Sequence, residues 1–463
     1  MSRRTALQLS ALSVLLLALH VPSSAQTPAM APDIPASRFD VHVPGADYVK
    51  KVEMIPMRDG VKLYTVIVVP KNAKGAPMML TRTPYNAAKR AERNISPHML
   101  SLLPEGDDNF IAGGYIRVFQ DVRGKHGSEG DYVMNRPLRG ALNKTDVDHA
   151  TDAWDTIEWL VKHVPQSNGK VGMVGSSYEG FTVLMALADP HPALKAAVPM
   201  SAMVDGWRGD DWFHNGAFRL PMLNYFASQT TARGNGRPLA TGVYDDYEFA
   251  LRAGSTSDYA KRFGIDQLTF MKKIFEHPSY DSFWQEQAVD RILAGRPLKV
   301  PTMHVVGRWD QEDIYGPYAA YAATERMDKN NDMNHLVVGP WRHSGVNYEG
   351  SMLGPLKFNG DTAAQFRRDV MQPFFDQHLR EGASKADTAP VLSYRTGADQ
   401  WQRLDKWPLS NNMQPVYLKP GFALGQGKPA GGAQFGEYVS DPAKPVPFVP
   451  RPVRMHDAAV WKP

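Results

Sequence analysis

The 463-residue chain is 43% hydrophobic, 22% charged and 10% aromatic, a balance that excludes a disordered polymer and suffices for two or three packed domains. A formal net charge of only +4 gives no electrostatic case for nucleic acid as a partner. With no cysteine, neither disulfides nor thiolate metal sites are available, and no metal or cofactor is expected.

Residues 1–25 have a basic tip at Arg3 and Arg4, an apolar stretch from Leu7 to Val21, and small residues at Ser23 and Ala25. This pattern predicts a secretory signal cleaved after Ala25, hence export to the periplasm or beyond. The apolar run is broken by Gln8, Ser10, Ser13 and His20 and falls short of the roughly 20 residues a membrane span needs, so no membrane association is expected after cleavage. The paired arginines do not separate general secretion from twin-arginine export. Residues 26–47, rich in proline, alanine and polar residues, read as an extended arm.

From Val52 the pattern changes. VEMIPM and KLYTVIVVP flank the turn Arg58, Asp59, Gly60 and predict a hairpin. PMMLTRTP, YIRVFQDV, KVGMVGSS and LKAAVPMSAM follow as short apolar strands, with helical segments such as DAWDTIEWLVKHV between several of them. Buried strands alternating with helices predict a mostly parallel sheet, an α/β fold. The strand pattern stops between 206 and 296, where dense aromatics (Trp207, Trp212, Phe213, Phe218, Tyr225, Phe226) predict a helical cap. It resumes with VPTMHVVG and NHLVVG, and a last helix is predicted over AAQFRRDVMQPFFDQHL. The expected α/β domain therefore comprises 48–205 and 297–387. Residues 388–463 read as a separate, incomplete β domain.

The segment KVGMVGSSYEGFTVLMALAD, residues 170–189, joins a strand to a helix through a serine set between Gly175 and Gly180. Such a turn forces the hydroxyl of Ser177 out of the sheet, as a hydrolase requires of its nucleophile. The spacing departs from the common G-x-S-x-G form, because Glu179 stands where the second glycine usually falls. Partners belong on loops after later strands. RWDQEDIYG, following VPTMHVVG, offers Asp310, Glu312 and Asp313, and PWRHSG, following NHLVVG, offers His343. His335, His378 and His456 lack that placement. The order Ser177, Asp310, His343 is the one α/β-hydrolases use. Serine is a weak nucleophile near neutral pH, so His343 would accept its proton while Asp310 orients the imidazole. The N–H of Tyr178 and the hydroxyl of Tyr85, in the RTPYN loop, are the expected oxyanion donors.

Together GSSYEG, RTPYN, QDVRGKHGSEG, WDQED and GPWRHSG resemble the α-amino acid ester hydrolases, which group with the cocaine esterases and X-Pro dipeptidyl-peptidases. The resemblance implies an α/β-hydrolase domain with a helical cap and a C-terminal jelly roll. On it, Ser177, Asp310 and His343 form the triad, with Tyr85 and Tyr178 as the oxyanion hole. It also implies three carboxylates that bind a substrate α-ammonium: Glu312, Asp313, and either Asp210 or Asp211, with Asp211 preferred for its place beside the aromatic run. The implied reaction is hydrolysis or acyl transfer on small α-amino esters and amides, β-lactam side-chain amides included. The alternatives are an X-Pro dipeptidyl-peptidase, a plain esterase, or a truncated remnant without turnover, because residues 388–463 are short for a jelly roll. Family analogy further implies a homotetramer assembled through the N-terminal arm.

Overall fold

The computed structural model describes residues 45–408, 413–431, 435–441, 444 and 451–453. The predicted signal, nearly all of the arm and His456 lie outside these residues.

Ten strands form one sheet: β1 Tyr48–Pro56, β2 Lys62–Pro70, β3 Ala76–Thr83, β4 Ile116–Asp121, β5 Ser167–Ser176, β6 Leu194–Met200, β7 Thr302–Trp309, β8 Asn334–Arg342, β9 Val391–Arg395 and β10 Gln400–Leu404. Their order is β1-β2-β4-β3-β5-β6-β7-β8-β9-β10. The pairs from β4 through β9 are parallel, while β1, β2 and β10 run antiparallel to their neighbours. Every residue of β3 and β4 is buried, which explains why those segments read as continuous apolar runs rather than alternating ones.

Helices cover the sheet. Helix α1, His149–His163, starts on a capping box in which Asp148 accepts from the Thr151 N–H and the Thr151 hydroxyl accepts from the Asp148 N–H. Ile157 and Leu160 of α1 pack with Val183 of α2, Tyr178–Leu187, against Met78, Leu80 and Met173. A separate core joins Phe374, Phe375 and Leu379 of the C-terminal helix Gln372–Leu379 to Met79, Val174, Val198 and Val337.

Between β6 and β7 the cap holds six helices: α3 Met222–Thr230, α4 Asp246–Ala253, α5 Thr256–Arg262, α6 Thr269–Glu276, α7 Ser282–Gln287 and α8 Val289–Ala294. The aromatics that mark this region in the sequence form its core, with Trp212 against Phe226 and Phe270, and Phe213 against Trp284. Phe181 and Met185 of α2 belong to the same cluster, so the cap is packed onto the helix that follows Ser177.

Residues 391–404, which the sequence pattern places in a separate β domain, instead complete the central sheet. Leu336, Val337 and Val338 of β8 pair in parallel with Val391, Leu392 and Ser393. The physical reason is burial: Val391 to Tyr394 are buried on both faces and cover an edge that β8 would otherwise expose. Beyond Leu404 the described residues form one further antiparallel pair, Tyr417–Lys419 with Ala423–Gly425. Among the described residues no helix is long and apolar enough to cross a membrane.

Candidate active site

Ser177 sits between the end of β5 and the first residue of α2 with φ 64° and ψ −129°. A non-glycine residue in this region carries strain of about 1–3 kcal/mol, which the surroundings must hold. They do so through the Ser177 N–H, which donates to the carbonyls of Met200 at 3.0 Å and Ser201 at 3.1 Å. The two glycines have steric reasons. A Cβ on Gly175 would lie 2.6 Å from the Glu179 backbone, and one on Gly180 would lie 2.7 Å from the Met200 carbonyl oxygen. Glu179 therefore needs no glycine's freedom at its own position. Its buried carboxylate accepts from Arg90 Nη2 at 2.5 Å. Tyr178 opens α2, so its N–H has no acceptor one turn earlier within the helix and remains a donor beside Ser177.

Strands β7 and β8 are adjacent and parallel, with Trp309 opposite Arg342, so the residues that follow them meet. His343 Nδ1 lies 2.9 Å from Asp310 Oδ1 and 3.1 Å from Oδ2. Asp310 Oδ1 also accepts from the N–H groups of Glu312 and Asp313, each at 2.9 Å. Burial alone would raise the Asp310 carboxyl, but His343 and these donors outweigh it and lower it. On the other side of the ring, Nε2 lies 3.4 Å from Glu312 Oε2. Burial would push the imidazole down. Asp310, Glu312 and Asp211 overcome it and raise His343 to about 9.

Ser177, His343, Tyr85, Tyr225, Glu312 and Arg90 line one cavity of about 340 Å³. The Tyr85 and Tyr225 hydroxyls lie 3.1 Å apart. Burial raises Tyr85 well above the ordinary phenol, opposed by its hydrogen bonds to Tyr225 and Ser177. It therefore keeps its proton and can donate it.

The acids expected to gather do so unequally. Asp210 Oδ2 accepts from the N–H groups of Val204 and Asp205, and its Oδ1 from that of Gly316, so it ties the start of the cap to the segment after β6 and to the helix Tyr315–Glu325. Asp211, at φ 43°, turns away from that anchor, and its N–H donates to Asp313 Oδ1 at 3.2 Å. Asp313 Oδ2 is buried without a hydrogen-bond partner. Burial, then the charge of Glu312, pushes Asp211 up to about 7, and burial with the charge of Asp211 raises Asp313. Glu312 lines the cavity wall, while Asp211 and Asp313 are buried behind it.

Sequence reasoning passes over three residues of this site. Tyr225 is visible only as a cap aromatic, and Arg90 carries no local signal. Arg219 donates to the carbonyls of Asp211 at 3.1 Å, Gln311 at 2.7 Å and Glu312 at 3.4 Å, clamping the two acid-bearing loops together. An arginine that binds carbonyls rather than a carboxylate leaves no complementary charge in the sequence by which to find it.

Residues 59–345 match the model of the X-Pro dipeptidyl-peptidase (S15) family. The chain is similar to a solved α-amino acid ester hydrolase, 61% identical with a TM-score of 0.89 over 94% of this chain and 72% of that one. It is similar to a solved aminopeptidase from the marine sediment archaeon Thaumarchaeota archaeon, 49% identical with a TM-score of 0.87 over 91% of this chain and 69% of that one. It is also 27% identical to the cocaine esterase of Rhodococcus sp. (strain MB1 Bresler), over 87% of this chain and 69% of that protein.

Proposed function

The chain belongs to the X-Pro dipeptidyl-peptidase (S15) family of hydrolases, and from that premise we propose that it transfers acyl groups from esters and amides bearing a free α-amino group. The observation that carries this reading is the carboxylate group formed by Asp211, Glu312 and Asp313 against the His343 end of the cavity. Burial and the neighbouring charges raise Asp211 and Asp313, and a bound ammonium favours their ionised forms. One ammonium about 4 Å from one carboxylate gains roughly 4 kcal/mol at an effective dielectric near 20.

In the reaction, Ser177 Oγ attacks the acyl carbonyl as its proton passes to His343 Nε2. Asp310 holds the Nδ1–H and stabilises the imidazolium. The Tyr178 N–H and the Tyr85 hydroxyl donate to the oxyanion. The protonated His343 then returns its proton to the leaving oxygen or nitrogen, and an acyl-enzyme on Ser177 forms as the C–O or C–N bond breaks. Water completes hydrolysis, whereas an amine such as a β-lactam nucleus gives the ampicillin- or cephalexin-type amide. Residues 1–25 support secretion as the route to such substrates.

The test is Asp211→Asn assayed on phenylglycine methyl ester and on an acetyl ester lacking the amine. KM for the amino ester should rise about tenfold or more, equivalent to about 1.4 kcal/mol, with the acetyl ester little changed. Equal loss on both substrates would sink the assignment. A second reading is favoured by the aminopeptidase relative: the same cluster would hold a peptide N-terminus, and release of an amino acid or an Xaa-Pro dipeptide would mark it.

A further inference from the structure

The motif QDVRGKHGSEG lies outside the cavity and makes no part of the triad. Residues 121–130 begin at the last residue of β4 and are anchored by Arg123, which pairs with Asp152 at 2.7 Å and with Asp59 at 2.7 Å. From that anchor two neighbouring side chains reach different partners. Lys125 is fully buried, and its Nζ donates to the carbonyls of Gln229 at 2.8 Å, Ala232 at 3.1 Å and Gly234 at 2.9 Å. These carbonyls end α3 and begin the loop after it, where the negative end of the helix dipole favours an ammonium. Tyr225 stands one turn before Gln229 on the same face of α3. His126 donates its backbone N–H to the Arg233 carbonyl of the same loop at 2.9 Å, and its Nε2 lies 3.0 Å from the carbonyl oxygen of Pro84, the residue before Tyr85. Asp121 adds to this side by accepting from the Ala87 N–H at 2.6 Å, and its other oxygen accepts from the Gly127 N–H at 3.1 Å.

The contacts thus converge on the Tyr225–Tyr85 hydroxyl pair, whose members lie 140 positions apart in sequence and 3.1 Å apart in space. Burying an ammonium costs desolvation, and three carbonyls offset it only while the end of α3 and the loop after it stay in place. A loop that merely filled space would have no use for such a group.

We propose that residues 121–130 position the candidate oxyanion hydroxyl, Lys125 holding Tyr225 through α3 and His126 holding Tyr85 through Pro84. The inference rests on the reading of Tyr85 as an oxyanion donor. Lys125 and His126 are positioning residues and touch no substrate. A donor that drifts by a fraction of an ångström serves the transition state poorly while substrate binding continues, so the effect falls on kcat.

The experiment is a double-mutant cycle on phenylglycine methyl ester. Tyr85→Phe alone should lower kcat roughly 100-fold. Lys125→Met should lower kcat roughly tenfold with KM within about twofold, and should lower it no further when placed in Tyr85→Phe. If Lys125→Met loses the same factor in both backgrounds, or acts on KM instead, the positioning role is overturned. Should Lys125→Met be insoluble, His126→Ala and Tyr225→Phe leave the lysine clamp intact and go through the same cycle: no further loss in Tyr85→Phe supports the role, and an equal loss in both backgrounds overturns it. A fully active Tyr85→Phe removes the oxyanion reading itself, which is a different failure from additivity.

Discussion

At the scale of single residues, the decisive geometry is the imidazole of His343 with a carboxylate on each side. Asp310 at Nδ1 takes the place of the orienting partner in the proposed triad. Glu312 at Nε2, 3.4 Å away, is unusual, because in the proposed reaction that nitrogen must be unprotonated to accept the proton of Ser177. In the free enzyme Asp310, Glu312 and Asp211 outweigh burial and keep the ring protonated up to about pH 9. On the proposed function, a substrate ammonium that engages Glu312 would offset one of those charges and lower the pKa of the base just as it is needed. Glu312→Gln should therefore shift the acid limb of the kcat/KM profile for an ester lacking an α-amine toward lower pH, since a neutral side chain no longer stabilises the imidazolium. The free-enzyme profile reads this directly. An unmoved limb would mean that Glu312 does not control the base.

At the scale of elements, α2 is pressed onto β5 and β6 more tightly than any side chain at 175 or 180 would allow, and this closeness presents Ser177 to the cavity. The helix is buried along nearly its whole length, from Tyr178 to Ala186, so it cannot retreat into solvent. Gly180→Ala would place a methyl 2.7 Å from the Met200 oxygen and 2.9 Å from Ala202 Cβ. The overpacking should cost about 1–3 kcal/mol in urea unfolding. Because Met200 also accepts from the Ser177 N–H, the same variant should be labelled by a fluorophosphonate more slowly than the parent. Unchanged stability together with unchanged labelling would show that α2 has slack that its packing denies.

At the scale of the whole molecule, β5, β6, β7 and β8 lie side by side, and their carboxyl ends point the loops bearing Ser177, Asp310 and His343 to one place. The cap packs onto α2, contributes Asp211 to the acids and lends Tyr225 to the cavity lining. Gathering the acids has a global consequence. Asp211 titrates near 7 in the folded state, against about 3.9 in an unfolded chain. Between those values the folded protein holds a proton that the unfolded chain has released, so stability falls as pH rises through that window, and the full cost is present above about pH 7. Asp211→Asn removes this contribution. The Tm of the parent should therefore drop relative to Asp211→Asn as pH is raised from about 5 to about 8. Parallel Tm curves for the two proteins would contradict the rise that burial and the charge of Glu312 impose on Asp211.

What the amino-acid sequence determines by itself are local matters: strand and helix periodicity, the glycines of the serine turn, and the chain order that sets Ser177, Asp310 and His343 each just past a strand. They are legible because each follows from residues close together in the chain. The choice between Asp210 and Asp211 is not, since both are buried acids in the same segment, and only the three backbone donors from Val204, Asp205 and Gly316 mark Asp210 as the anchor. Nor can the pattern of residues 391–395 show that the strand completes the sheet beside β8, because pairing depends on which edge is open. The Tyr85–Tyr225 pair and the Lys125 clamp likewise join residues more than 100 positions apart. Contacts at that separation arise only when the folded chain closes, and it is there that the chemistry around Ser177 is decided.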